Sequence, residues 1–493
     1  MEILTANNNK LLKQEGRWFI LYFCVFLLVY GYTILRLGLD TDDIHDFFGE
    51  EGGLYTAAGR WCVVLWRLVF GQGACTWAAG ITAGLLISGV IIFQCHLLKL
   101  TGNLQRLVYG GFYLSCTQFN HMLQFSFLCD TMAASFLAVT GSVWLLQKDD
   151  TKATVLSIVL LTFALGTYQA NCFYFTTLFL AVELRKIQLG EAPAAFKKRF
   201  KKLIGIGLIA SVAWFIIFKI TVQLPYVSEE QYLFATSYQS DINHWNRFFA
   251  VGFQEKFNIV MGAIMLDFFF NWASLASLIA VFLLGRSYIQ QLGRKNAKLP
   301  IFLLVLLCLS PYGLNFALLR QHEEWSLIGE PIMIAGVWAM VTTAQQKLAP
   351  RMLRYLLIFL AFSLIKGMYS NAAWARDERL WHETLIAEVQ EMRSIANTAA
   401  LHAGLEKANV VLMGDPWKRD DIDDQSSDST LPWARVLKYY LRYLKIQNIR
   451  ISTPEDEAKH RLLFESMPTW PAVGSVVVAG DEIIIKLGPI KKD

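Results

Sequence analysis

The chain has 493 residues, of which 55% are hydrophobic and only 17% charged, against about 25% charged in an ordinary soluble domain. Its mean hydropathy is +0.38, and 45 basic against 40 acidic residues leave a formal charge of only +5. These values exclude a disordered chain, a coiled coil, a soluble enzyme of ordinary surface and a general nucleic-acid binder, and they leave a polytopic membrane protein.

A spanning helix needs about 20 mostly apolar residues. In chain order, such stretches lie at 18–37, 76–98, 107–119, 126–147, 153–168, 170–184, 203–224, 260–285, 300–318, 326–344 and 355–370. The chain therefore reads as an α-helical membrane protein with about eleven transmembrane helices. The polar start MEILTANNNKLLKQEGR does not resemble a cleavable signal peptide, and the apolar run after it is long enough to span. From Arg376 to Asp493 the composition changes, with 19 acidic residues against 16 basic. The expected division is a membrane domain over 1–370 and a small α/β domain over 371–493. In the latter, 376–402 and 433–446 have helical spacing, and ANVVLMGD (408–415), NIRIS, SVVVAG and EIIIKL read as strands.

The basic residues fix the orientation. Lys10, Lys13 and Arg17 precede the first span. Counting alternately from there, Lys99, Arg106, Lys148, Lys152, the run RKIQLGEAPAAFKKRFKK (185–202), Arg286, Arg294, Lys295, Lys298, Lys347, Arg351 and Arg354 all fall on the same side. The N-terminus is then cytoplasmic and, with an odd number of spans, the C-terminal domain is extracytoplasmic. Neither a Walker motif nor a G-x-G-x-x-G after a strand occurs. Chemistry is accordingly expected on the outer side.

The densest outer feature is LGLDTDDIHDFFGEEGGLYTAAGRW (37–61), with Asp40, Asp42, Asp43, Asp46, Glu50 and Glu51. Either it is a solvated loop, or one carboxylate is a general base on a sugar hydroxyl whose pKa a neighbouring carboxylate raises. Arg60 opens GRWCVVLWRLVFG, an interfacial helix in which an Arg either snorkels or holds a lipid phosphate bidentately. In FNHMLQFSFLCD (119–130), Asn120 and His121 sit at an outer turn. Asp130 lies inside the next span, as a functional group or as the partner of another helix. TYQAN (167–171) offers Tyr168, Gln169 and Asn171 to sugar hydroxyls or to a tight turn. LRQHEEW (319–325) offers Arg320 to phosphate, and His322 and Glu323 to ligand or solvent. No metal-ligand spacing occurs, and DDIDDQSSD (420–428) lacks the EF-hand order, so no cofactor is expected. The eight Cys all lie in the membrane domain without a CxxC. Most are expected to be small buried hydrophobes, although Cys62 and Cys75 flank one outer segment.

Taken in order, TDDIHDFF, GRW, FNHMLQFSFLCD and LGTYQAN, followed by a small domain after the last span, resemble the GtrII-type glucosyltransferases of bacterial and phage serotype conversion. Asp42, Asp43 and Ile44 match the family pattern, with His45 where Arg is common. Gly59, Arg60 and Trp61 match GRW, and Tyr168, Gln169 and Ala170 match YQA. The resemblance implies a GT-C-like fold in the bacterial inner membrane. It also implies a polyprenyl-phosphate sugar donor, a surface polysaccharide such as O-antigen as acceptor, and an inverting displacement with an Asp base in the first outer loop. On that reading Asp43 is the base and Asp42 its partner, Arg60 and Arg320 hold phosphate, and Tyr168 and Gln169 contact sugar. Asn120, His121, Asp130, His322 and Glu323 complete the substrate surround. A transporter of lipid-linked sugars is the competing class, against which stand the absence of an internal repeat and an acidic cluster outside the bilayer midplane. A non-catalytic partner in envelope assembly is the third.

Overall fold

The computed structural model describes residues 2–36, 55–56, 59–70, 76–116, 119, 122–123, 128–191, 194–224, 227, 252, 254–258, 261–262, 272–313, 327–344, 350–405, 409–414, 449–470 and 472–487. The chain divides into two compact units, with Met1–Arg36 and Gly49–Ala373 in the first and the residues from Trp374 on in the second.

In the first unit the described residues of the apolar runs are mostly helical. The helices are α1 (Glu2–Arg36), α2 (Trp61–Phe70), α3 (Thr76–Leu97), α4 (Asn103–Leu114), α5 (Cys129–Leu146), α6 (Thr151–Thr167), α7 (Asn171–Gln188) and α8 (Ala194–Thr221). They continue with α9 (Trp272–Asn296), α10 (Lys298–Leu309), α11 (Glu330–Ala344) and α12 (Pro350–His402), whose last part belongs to the second unit. Among the described residues, five stretches are long and apolar enough to cross a membrane: Lys13–Leu35, Trp77–Leu97, Cys129–Leu146, Ala195–Thr221 and Leu353–Ala373. The other predicted runs form shorter or more polar helices. The run expected at 107–119 ends at Leu114. The one expected at 260–285 is helical over Trp272–Asn296, with a break at Gly293, whose φ is +74°.

The contacts within the unit separate its two ends. At one end Glu15 of α1 pairs with Arg106 (2.7 Å) and His96 (3.3 Å). Arg185 at the end of α7 donates to the Leu98 carbonyl at 3.0 Å. Arg199 at the start of α8 binds the fully buried Glu183 through Nε (2.8 Å) and Nη2 (2.7 Å). Lys198 reaches Asp149 at 2.7 Å, and this hydrogen bond, followed by the ammonium charge itself, holds the Asp149 carboxyl below the usual carboxylate range. The basic flanks of α1, α3, α4, α5, α6, α7 and α8 thus converge on one end. Outward, α8 turns Leu208, Ile209, Val212, Phe215, Ile216 and Ile220 away from the protein, as a lipid-facing helix does.

Inside the bundle a polar chain joins four helices. Tyr109 donates to Gln94 Oε1 (2.7 Å), and Gln94 Nε2 donates to the Tyr174 hydroxyl (2.7 Å) and to Thr140 Oγ1 (3.2 Å). The Tyr174 and Tyr113 hydroxyls meet at 2.6 Å. All five side chains are buried, and in an apolar medium each unmade bond is costly, so the chain is closed on itself. Cys62, Cys95, Cys116 and Cys129 are buried, as expected for small hydrophobes. Cys24 is exposed, and Cys172 and Cys308 are half-buried. Cys75 lies outside the described residues.

The second unit holds a four-stranded sheet of order β2-β1-β4-β3, from β1 (Asn409–Met413), β2 (Ile449–Ile451), β3 (Val476–Ala479) and β4 (Glu482–Lys486). β1 runs parallel to β2 and β4, and β3 and β4 form an antiparallel hairpin through Gly480 (φ +69°). A helix that the periodicity did not reveal, α13 (Pro454–Ser466), covers the sheet. Phe464 and Met467 meet Val411, Met413 and Ile484 there. Thr453 caps α13 in a reciprocal box with Asp456, and Pro454 stands at its first position. Lys486 Nζ closes the other end on the carbonyls of Phe464 (2.8 Å) and Met467 (2.7 Å). Lys459 and His460 both reach Glu482, and the hydrogen bond to Glu482 raises the Lys459 pKa. The predicted helix over 433–446 and the acidic stretch 420–428 lie outside the described residues.

Candidate functional site

Away from the basic end, two sequence-distant motifs meet. Arg60 stands just before α2, and Tyr168 and Gln169 stand in the turn between α6 and α7. The Arg60 guanidinium carbon lies 5.5 Å from the centroid of the Tyr168 ring, within cation–π range. Arg60 Nε is buried and has no hydrogen-bond partner among the described residues. A delocalised planar cation with an unused donor, set over an aromatic face, suits a phosphate or carboxylate oxygen.

The backbone before Arg60 is held tightly. Gly59 donates its N–H to the Thr56 carbonyl (2.9 Å) and Arg60 donates to the Tyr55 carbonyl (2.8 Å). Gly59 has φ +77°, and a Cβ there would lie 2.8 Å from Trp214 Cζ2 and 2.9 Å from Gln169 Nε2. Glycine is therefore required twice, by conformation and by space. Trp61 is seated against Gly166 of α6, where an added Cβ would come within 2.5 Å of the indole. The GRW and YQA segments are thus in van der Waals contact although more than a hundred residues separate them.

Asp130 falls in the first turn of α5. Its carboxylate accepts from Trp66 Nε1 (3.0 Å), Arg67 Nη2 (3.2 Å) and the Thr131 N–H (2.8 Å). These bonds are the interhelical partnership that was one of the two readings of Asp130, and they anchor α2, the helix Arg60 precedes, to α5. Sequence inspection passed over Arg67 because nothing local distinguishes a buried, paired Arg from a snorkelling one. Asn171, read as a sugar contact or as part of a tight turn, donates to Ser135 (3.0 Å) and to the Ala164 carbonyl (2.8 Å) across the α6–α7 turn. Trp214 was also passed over, because one Trp in an apolar helix carries no signal.

Asp42, Asp43, Asn120, His121, Arg320, His322 and Glu323 lie outside the described residues. Among the described residues, no cluster of three His, Cys, Asp or Glu side chains is arranged to hold a metal ion.

A helical chain with several helices long and apolar enough to cross a bilayer is that of a membrane-embedded protein. The family described as Glucosyl transferase GtrII matches residues 31–343, and the chain belongs to it. Neither a curated protein nor a solved structure gives a match. Family membership favours a membrane glycosyltransferase over the transport and docking readings.

Proposed function

We propose that the protein moves a hexose, glucose on the family's evidence, from a polyprenyl-phosphate donor to a surface polysaccharide such as O-antigen. The reaction runs on the extracytoplasmic face of the bacterial inner membrane. Eleven spans carry the chain across, with the N-terminus in the cytoplasm and the sheet-containing unit outside. Asp43, supported by Asp42, takes the proton from the acceptor hydroxyl. The hydroxyl oxygen bonds to the anomeric carbon as the bond from that carbon to the donor phosphate oxygen breaks. The polyprenyl phosphate leaves with the electron pair. Arg60 and Arg320 stabilise the charge that gathers on it, and Tyr168 and Gln169 contact the sugar. Asn120, His121, His322 and Glu323 complete the substrate surround.

The observation that carries this reading is the Arg60 guanidinium over Tyr168, with a buried, unused Nε. It joins two of the motifs on which the family resemblance rests. The positive end of the bundle, where Arg106, Arg185, Lys198 and Arg199 are tied, is elsewhere and fits a cytoplasmic face. The test is mass spectrometry of the surface polysaccharide from a deletion strain complemented with wild type, Asp42→Asn or Asp43→Asn. A hexose branch restored by wild type and lost with Asp43→Asn, at equal expression, supports transfer and names the base. A glycan identical in all strains sinks the proposal for that polymer.

A further inference from the structure

The peptide unit that leads into Arg60 is gripped at both of its polar ends. Its N–H, on Arg60, donates to the Tyr55 carbonyl at 2.8 Å. Its carbonyl, on Gly59, accepts from the indole N–H of Trp214 at 3.0 Å. A peptide is planar, so two bonds of opposite direction on one unit fix its rotation about the chain axis. The Arg60 Cα, from which the guanidinium departs, is then fixed as well.

Trp214 comes from a different part of the bundle. It lies 16 residues beyond Lys198 on α8, about 24 Å along the helix axis from the basic end. Its ring is stacked on Phe218, with centroids 5.9 Å apart and planes 7° from parallel. Its six-membered ring edge occupies the space that a Gly59 Cβ would need, which is also bounded by Gln169 Nε2. One side chain therefore bonds the Gly59–Arg60 unit directly and shares with Gln169 the space beside Gly59 that a Cβ would fill.

We infer that Trp214 is a positioning residue, whose indole hydrogen bond to the Gly59 carbonyl sets the Gly59–Arg60 peptide and so holds the Arg60 guanidinium over Tyr168, where donor phosphate is bound. The inference rests on the phosphate-binding reading of Arg60 proposed above. Trp214 itself touches neither phosphate nor sugar. Its loss should weaken donor binding while leaving the chemical step nearly intact.

The test uses the purified full-length protein in lipid nanodiscs, a short-chain polyprenyl-phosphate glucose as donor and the strain's own lipid-linked polysaccharide as acceptor. Trp214→Phe keeps a ring against Gly59 and Phe218 and removes only the N–H. It is expected to raise the donor KM about tenfold with kcat within about threefold. Trp214→His returns a ring nitrogen to the same position on a five-membered ring and should bring the donor KM back to within about threefold of wild type. In an Arg60→Gln background, whose own donor KM is raised, Trp214→Phe should add less than about twofold, because the cation it positions is gone. An unchanged donor KM in Trp214→Phe, or a full tenfold rise on top of Arg60→Gln, overturns the inference and leaves the Arg60 reading standing. An unchanged donor KM in Arg60→Gln overturns the Arg60 reading and this inference with it. If Trp214→Phe does not elute as a folded species, the Trp214→His KM decides alone: a rise of tenfold or more overturns the inference, and a value near wild type supports it.

Discussion

Replacing Asp130 with Ala removes the acceptor of the Arg67 guanidinium (3.2 Å), the Trp66 indole (3.0 Å) and the Thr131 amide (2.8 Å) at one stroke. The Arg67 side chain is 10% exposed and that of Asp130 8%, so water does not replace the lost carboxylate. Breaking a buried ion pair from one side costs about 3–5 kcal/mol, whereas replacing both partners with apolar residues of similar volume is close to neutral. At ~2–3 °C per kcal/mol for a large domain, the thermal midpoint should fall by about 6–15 °C. The assay is size-exclusion chromatography of the heated, detergent-purified full chain for Asp130→Ala, Arg67→Met and the double variant Arg67→Met/Asp130→Leu. Both single variants should show the large loss and the double variant should recover most of it. A double variant as unstable as the singles, or an Asp130→Ala shift under about 3 °C, refutes the tie between α2 and α5. Glycan transfer by the double variant adds a second reading. A stable but inactive double variant would return Asp130 to the substrate surround.

Three further outcomes follow from contacts described above. Gly59→Ala forces a side chain into a φ of +77° and to within 2.8 Å of Trp214. It should cost about 1–3 kcal/mol and abolish the hexose branch, measured by thermal midpoint and glycan mass spectrometry. Glu183→Gln leaves Arg199 without the carboxylate that holds it through two nitrogens. Arg199 keeps Glu191 as an ion-pair partner, so the start of α8 should lose about 1–3 kcal/mol, read by the same heated chromatography; a loss below about 0.5 kcal/mol would contradict the assignment. Thr453→Ala removes the cap of α13 at a cost of about 1 kcal/mol. Hydrogen exchange on the full chain should show faster amide exchange across 456–466 and no change in α5.

The helices of the first unit were legible because a run of apolar residues dictates its own backbone state in lipid. The ends were less so. Leu114 closes α4 where hydropathy continues, because the chain turns at Ser115, which bonds back to Phe112 and Gly111. The site was half-legible. GRW and YQA stood out as motifs, but only the fold brings Arg60 over Tyr168. The Arg67–Asp130 tie was invisible, since each residue alone satisfies several readings and the pairing spans 63 positions. The helix α13 had a signal that was not weighed: Thr453 followed by Pro454 and Asp456 is a helix start written in the sequence.

The buried chain through Gln94 has a consequence for how such a protein assembles. The helices α3, α5 and α6 are mostly apolar, without one strongly polar face, and lipid is as good a solvent for one apolar face as for another. Hydrophobicity inserts them but does not tell them which way to turn. The amide of Gln94, matched to Tyr109, Thr140 and Tyr174 from three other helices, supplies that rotational address. A Gln94→Leu chain would keep every membrane-inserting run, gain hydropathy and integrate normally, yet lose a four-helix polar match that favours a single arrangement from the several its greasy surfaces allow.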